Sequence, residues 1–97
     1  MQVRIPHEEF NDLVRKGKVE QKLKAILDEI KPEAVYFVEY EGQRGAIIVI
    51  DIKDQSEFPR FAEPWFLSFN ADVEFHAAMT PEDLGKAGLT QLAKKWA

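Results

Sequence analysis

Apolar and polar residues in the first third of the chain predict a short strand followed by two helices. Val3 and Ile5 alternate with polar residues before Pro6, as expected of a strand. Further along, apolar residues recur at spacings of four, three, one and three, which places them on one helix face. These residues are Val19, Leu23, Ile26, Leu27 and Ile30. Because glycine costs about 1 kcal/mol inside a helix, we expect a bend at Gly17, with the second helix ending before Pro32.

The middle of the chain is strongly apolar and predicts a β-hairpin. Tyrosine, phenylalanine, valine and isoleucine dominate residues 34–41 and 44–53, and Gly42-Gln43 between them fits a two-residue type II′ turn. This pairing puts Val38 opposite Ile47. One sheet face then carries Tyr36, Val38, Tyr40, Ile47 and Val49, and the other carries Val35, Phe37, Ala46, Ile48 and Ile50. Since both faces are apolar, we expect both to be covered.

The segment from Phe58 to Leu84 predicts a helix, a strand and the start of another helix. Apolar residues at 58, 61, 62, 65, 66 and 69 form one helix face, which Pro64 interrupts, so a kink or two abutting helices are expected. Val73, Phe75 and Ala77 then alternate with Asp72, Glu74 and His76. Thr80 fits a helix cap, with proline next and acidic residues in the first turn. Glycines at 85 and 88 break this last helix, which resumes at residue 89.

The order of these elements, β-α-β-β-α-β-α, predicts one α+β domain over residues 1–97. Its first six elements are those of a ferredoxin-like βαββαβ sandwich, a four-stranded antiparallel sheet with two helices on one face, and a C-terminal helix is added to it. The second sheet face would carry the apolar hairpin residues as a contiguous patch, which is unfavourable in water. A symmetric homodimer with its sheets face to face would cover that patch. We therefore expect a homodimer.

Composition and charge narrow the classes of partner. The net charge of −4 argues against a nucleic-acid binder, because phosphate contacts need a basic surface. No apolar run approaches the roughly 20 residues of a membrane span, and the polar first ten residues do not resemble a secretory signal, so a soluble cytoplasmic protein is expected. One basic stretch contains Arg15, Lys16, Lys18, Lys22 and Lys24. This stretch predicts either a solvent-exposed helix face or a binding patch for an anion or a protein partner.

Several segments of the chain resemble a known family. The segment EPWFLSFNADVEFHAAMTPEDL, together with KPEAVYF, EGQR and IIVIDIKD upstream, is similar to a family of small, functionally uncharacterised bacterial proteins. The resemblance runs from about residue 17 to the end of the chain. That family belongs to the dimeric α/β-barrel group, in which two ferredoxin-like protomers join their sheets into one barrel. The group includes muconolactone-isomerase-like enzymes, cofactor-free monooxygenases and ligand-sensing domains, and the resemblance implies this fold and assembly but no catalytic motif.

One group of residues is a candidate site. Glu74 and His76 lie on the polar face of the last strand, which neighbours Arg4 in a ferredoxin-like order, and Tyr36 and Tyr40 share that side of the sheet. A histidine beside a carboxylate can act as a general base, and tyrosine can donate to a developing oxyanion. The structural alternative is a cross-strand pair between Arg4 and Glu74, with His76 as an interface histidine.

The sequence offers no motif for a cofactor or a metal. The two histidines lack the spacing of a metal site, and no glycine-rich phosphate loop is present, so no cofactor and no metal are expected. Three functions remain open. The first is a homodimeric small-molecule-binding or structural module. The second is a cofactor-independent isomerase or monooxygenase acting on a small acidic or phenolic compound through the candidate site. The third is a regulatory ligand-sensing subunit that meets a partner through the basic face near Lys18.

Overall fold

The computed structural model describes all 97 residues and shows an α+β fold with four strands and five α-helices. The strands are β1 (Gln2–Ile5), β2 (Ala34–Tyr40), β3 (Gln43–Val49) and β4 (Asp72–Glu74). The helices are α1 (His7–Arg15), α2 (Val19–Ile30), α3 (Phe58–Phe69), α4 (Pro81–Lys86) and α5 (Leu89–Trp96). A 3₁₀ turn, Gln55–Glu57, leads into α3.

The strands form an open antiparallel sheet in the order β2-β3-β1-β4. Helices α1, α2 and α3 pack on one face of this sheet and leave the other face, here called the open face, uncovered. The buried core between helices and sheet consists of Val3, Ile5, Ile26, Ile30, Ala46, Ile48, Phe61, Trp65, Phe69 and Ala71. Because strand side chains alternate, the neighbours of the buried strand residues point to the open face.

The helices follow the apolar periods of the sequence. The expected break at Gly17 is confirmed: this residue has φ 68° and separates α1 from α2. Helix α2 ends at Ile30 and is followed by Lys31, whose φ of 46° is left-handed, just before Pro32. Helix α3 runs through Pro64 as one element, so of the two expected alternatives, a kink or two abutting helices, the second is wrong. The proline removes a single backbone hydrogen bond, and the buried side chains of Phe61, Trp65 and Phe69 hold the helix together around it.

The hairpin forms with the expected faces but a different turn. Its loop is Glu41-Gly42, both with positive φ (52° and 84°), as in a type I′ turn, and Tyr36 lies opposite Ile47. The expected Gly42-Gln43 loop shifts the pairing by two residues, which preserves the side-chain faces because the strand period is two. Strand β3 also ends at Val49, before the residue 53 that the apolar run indicated.

The last strand is shorter than its alternating pattern. Strand β4 stops at Glu74, although the pattern continues to Ala77. Its partner β1 starts at Gln2, which already pairs with Glu74, so no β1 residue lies opposite His76. Phe75 packs instead on Phe58, with ring centroids 4.6 Å apart in an edge-on arrangement.

Residues 79–97, here called the C-terminal arm, project from the rest of the molecule. Thr80 caps α4 as expected: its hydroxyl accepts from the Asp83 N–H, and the Asp83 carboxylate accepts from the Thr80 N–H. Gly88, with φ 71°, separates α4 from α5, and neither helix contains a buried residue. The molecule measures 60 × 28 × 19 Å, with a radius of gyration of 17.2 Å. A compact chain of this length would have a radius of about 12.5 Å, so the fold is extended by its arm.

Candidate functional site

The open face is an apolar surface with a few polar groups. Its apolar side chains are those of Tyr36, Val38, Tyr40, Ile47 and Val49. Tyr36 is 64% exposed, and Ile47 and Val49 are each 40% exposed. Strands β1 and β4 add the polar side chains of Gln2, Arg4, Asp72 and Glu74. A contiguous apolar patch of this kind typically marks an interaction or ligand-binding surface.

Arg4 crosses β3 to stack on Tyr40. The centre of its guanidinium lies 4.0 Å from the centroid of the Tyr40 ring. The residue between them on β3 is Gly45, which pairs with Arg4 on one side and Val38 on the other. A Cβ at Gly45 would lie 3.6 Å from the Tyr40 Cβ and 2.8 Å from the Val3 carbonyl oxygen. The glycine therefore opens the path along which Arg4 reaches the tyrosine.

The Arg4 guanidinium has no carboxylate partner. No acidic side chain lies within 4.0 Å of it, although Asp72 is opposite it on β4. Interaction with the Tyr40 side chain raises the pKa of Arg4 above its ordinary value, and the charges of Glu41 and Glu74 add to this effect. The side chain is thus a fixed positive charge on an apolar surface, with hydrogen-bond donors free for an anion.

Glu74 and His76 form a separate pair at the edge of the sheet. The His76 Nε2 lies 3.2 Å from the Glu74 Oε2, and both side chains are exposed. Glu74 lies opposite Gln2 rather than Arg4, so the cross-strand pair of Arg4 with Glu74 is not formed. His76 follows β4 instead of belonging to it, which corrects its expected place on the strand.

In a single chain, Tyr36 lies far from the pair formed by Glu74 and His76. Tyr36, Ile47, Gln2 and Glu74 form one row across the sheet, from edge to edge. Three inter-strand spacings separate the first from the last, a distance of about 14 Å. The structure therefore brings together Arg4 with Tyr40, and Glu74 with His76, but it does not bring the five predicted residues into one cluster.

A groove beside the sheet was not predicted. It has a volume of about 790 Å³, and it runs from Gln2, Ile47 and Val49 on the open face to the loop after β3. His76 lines it, and Phe58 and Phe75 form part of its apolar wall. We call it the edge groove. The apolar run over residues 44–53 pointed to a strand, and Ile50 and Ile52 continue to alternate with Asp51 and Lys53, but β3 ends at Val49 and residues 50–53 line the groove instead.

The edge groove carries several charged groups around its apolar wall. Four carboxylates line it, those of Glu33, Asp51, Asp54 and Asp83. Its basic groups are Lys53 and the amino group of Met1, which donates to the Ile48 carbonyl oxygen at 2.8 Å. Burial lowers the pKa of that amino group below its ordinary value of 8.0. Glu33 and Asp51 have no basic side chain within 4.0 Å.

A smaller pocket of about 300 Å³ lies on the helix side of the sheet. Ile5, Phe10, Leu23 and Phe37 supply its apolar lining. Arg44 closes one side: its guanidinium lies 4.4 Å from the Phe10 ring centroid and donates to the Asn11 Oδ1 at 2.8 Å. This arginine is thus engaged within the fold.

The basic stretch on α1 and α2 is partly neutralised by neighbouring acids. Lys16 pairs with Asp12 at 2.8 Å and Lys24 with Asp28 at 2.9 Å, each one helical turn apart. Such exposed pairs contribute little to stability, but they lower the positive potential of the surface. This arrangement favours the solvated helix face over a partner patch.

Comparison with protein-family models, curated proteins and solved structures found no match to this chain. No helix is long and apolar enough to cross a membrane. No three acidic, histidine or cysteine side chains converge into a cluster that could hold a metal ion.

Proposed function

We propose that this chain is a ferredoxin-like protomer of a dimeric α/β barrel that binds a small acidic or phenolic molecule between its two sheets. The strand order β2-β3-β1-β4, with every neighbour antiparallel, supports the ferredoxin-like topology. The exposed apolar side chains of the open face support face-to-face pairing of two copies.

The observation that carries the binding function is the position of Arg4. Its guanidinium, which has no carboxylate within 4.0 Å, stacks on Tyr40 at the border between the apolar hairpin residues and the polar side chains of β1 and β4. A second sheet placed over this surface would enclose the charge in an environment of low dielectric, where an unpaired cation is costly. A carboxylate or phenolate with an aromatic body would compensate that charge and contact the surrounding apolar side chains.

The test uses benzoate as an anionic probe and benzamide as its neutral counterpart. Benzoate is expected to raise the thermal unfolding midpoint, because a ligand that binds only the native state stabilises it. The Arg4→Gln variant should lose this response, whereas Arg15→Gln, which removes an exposed arginine from α1, should retain it. Equal responses to benzoate and benzamide, or an undiminished response in Arg4→Gln, would contradict the proposal.

A second candidate, the cofactor-independent isomerase or monooxygenase, is favoured by the contact of His76 with Glu74. The imidazole lines the edge groove and has a carboxylate 3.2 Å away, which can orient it and stabilise the charge that it acquires as a general base. A tyrosine donor would have to come from the second protomer, since Tyr36 lies across the sheet. A crystal structure of the dimer decides: an enclosed cavity with His76 within about 5 Å of a tyrosine hydroxyl supports catalysis, and an interior filled with side chains contradicts it.

A further inference from the structure

The C-terminal arm presents an apolar stripe that its own chain does not cover. Leu89, Leu92 and Trp96 follow one another at spacings of three and four, so they share one face of α5. All three are exposed, Trp96 to 77%. An amphipathic helix normally owes its stability to packing of this face, because eight residues are too few for a stable isolated helix. The helix therefore needs a partner surface.

The arm and the body of the chain carry opposite charge. Residues 79–97 contain three lysines and two acidic residues, a net charge of +1. The other 78 residues contain ten basic and fifteen acidic residues, a net charge of −5. On α5 itself, Lys94 and Lys95 have no carboxylate within 4.0 Å. A matching surface would combine apolar side chains with unpaired carboxylates.

The edge groove has these two properties. Phe58 and Phe75 line its apolar wall, and Ile47 and Val49 continue it onto the open face. Its carboxylates include Glu33 and Asp51, which have no basic partner. The groove thus offers apolar contact for the stripe and opposite charge for Lys95, which lies beside the stripe with its Nζ 5.5 Å from the Trp96 ring centroid.

The arm of the same chain does not fill this groove. Asp83 of α4 stands at its rim, but no residue of α5 lines it. Helix α5 begins after Gly88 and packs no side chain against the core, in keeping with the 60 Å length of the molecule. Each chain therefore has one uncovered stripe and one uncovered groove, and two copies related by a two-fold axis would satisfy both in equal number.

We propose that α5 of each protomer docks in the edge groove of a second copy of this chain, so that the two C-terminal arms are exchanged. The inference rests on the proposed dimer and adds to it a contact outside the sheet interface. In this arrangement the partner's stripe covers the apolar wall, and Lys95, at the side of the stripe, approaches Glu33 and Asp51.

Disulfide trapping tests the exchange directly, because the natural chain contains no cysteine. A size-tagged chain carries Ala93→Cys, on the edge of the α5 stripe, and an untagged chain carries Lys53→Cys, in the groove. Both substitutions leave the invoked charges and apolar residues in place. After the two chains are mixed and oxidised, a tagged–untagged adduct is expected, since a disulfide forms only when the Cα atoms come within about 7 Å.

Matched variants show whether the adduct depends on the proposed contacts. An untagged chain that carries Lys18→Cys on the helix surface, instead of Lys53→Cys in the groove, should give no adduct. Adding Leu92→Asp to the tagged chain should abolish the adduct, and adding Lys95→Glu should reduce it. An adduct confined to two tagged chains would mean that the arms pair with each other. A single chain that carries both Ala93→Cys and Lys53→Cys is the further control. If oxidation gives a monomer that migrates faster on the gel, the arm folds back onto the groove of its own chain. Either result would overturn the exchange.

The tryptophans supply a second measurement on the unmodified chain. Trp65 is fully buried and Trp96 is exposed in the single chain, so Trp96 dominates quenching by acrylamide. Quenching is expected to fall as the protein concentration rises and the arm docks, but to stay high in Leu92→Asp. Light scattering separates the two proposals. If the natural chain is a dimer that Val49→Asp dissociates, but no disulfide adduct forms, only the arm exchange is refuted. If the natural chain is a monomer, the proposed dimer is refuted as well.

Discussion

At the scale of single residues, Gly45 links the backbone of the sheet to the placement of the unpaired cation. Its missing side chain lets the Val3 carbonyl approach and leaves room for Arg4 to lie over Tyr40. A larger residue at this position would have to displace the neighbouring backbone of β1, because the added Cβ would lie 2.8 Å from the Val3 carbonyl oxygen. Residue 45 is therefore constrained both by strand pairing with β1 and by the stacking of Arg4 on Tyr40.

Replacing this glycine by alanine is expected to destabilise the protein. The added Cβ would lie 2.8 Å from a backbone oxygen, and overpacking of this kind costs about 1–3 kcal/mol. Thermal or urea unfolding measures the change. The matched control is Gly85→Ala in α4, where no atom lies within 4 Å of the added Cβ and the helix preference of alanine should leave stability unchanged or slightly raised. A Gly45→Ala variant as stable as this control would contradict the strain.

At the scale of elements, the start of α3 depends on a capped turn. Asp54 accepts from the Ser56 N–H at 2.8 Å, and the Glu57 carboxylate accepts from the Asp54 N–H at 3.2 Å. The hydrogen bond from the Ser56 backbone lowers the pKa of Asp54 below its ordinary value of 3.8. A lowered pKa means that folding favours the ionised form. Its contribution to stability is therefore present above pH 3.8 and is lost as the pH falls through the lower, folded-state pKa.

The Asp54→Ala variant should consequently have a lower unfolding midpoint than the natural chain at pH 7, and the difference should shrink as the pH falls below 3.8. Scanning calorimetry between pH 7 and acid measures it. Glu63→Ala removes a carboxylate without a hydrogen-bond partner from the same helix and serves as the comparison. If the unfolding midpoint of Asp54→Ala lies below that of the natural chain by the same amount at pH 7 and in acid, ionisation of Asp54 does not contribute to stability as proposed.

The elements also show what periodicity can and cannot predict. Apolar spacing predicted α2, the face of α3 and the two faces of the hairpin, because these depend on side chains within one segment. The hairpin register was wrong by two residues, since Gly42 can be either the first or the second residue of a two-residue loop. Strand β4 was predicted too long, because its length is determined by its partner β1. For the same reason, the place of His76 and the separation of Tyr36 from Glu74 could not be derived from local pattern.

At the scale of the whole molecule, one side of the sheet is packed and the other is bare. Introducing a charge on the bare side is expected to break the proposed dimer with little effect on the fold. Val49→Asp, and likewise Val38→Asp, should halve the mass measured by light scattering, because an unpaired carboxylate would be buried between the sheets. Leu67→Asp makes a similar apolar-to-acid change at an 82% exposed position on α3 and should leave the mass unchanged. If the Val49→Asp variant keeps the mass of a dimer, the interface lies elsewhere on the molecule.

The extended arm has a consequence for hydrodynamic measurements. A radius of gyration of 17.2 Å is that of a compact protein of about 220 residues, more than twice the length of this chain. A monomer with its arm extended would therefore elute from a gel-filtration column near the position of a compact dimer. A dimer with docked arms would have a radius of about 16 Å, so association would scarcely alter the apparent size. In small-angle X-ray scattering, pairing should double the forward intensity per molecule while the slope of the Guinier plot stays almost constant.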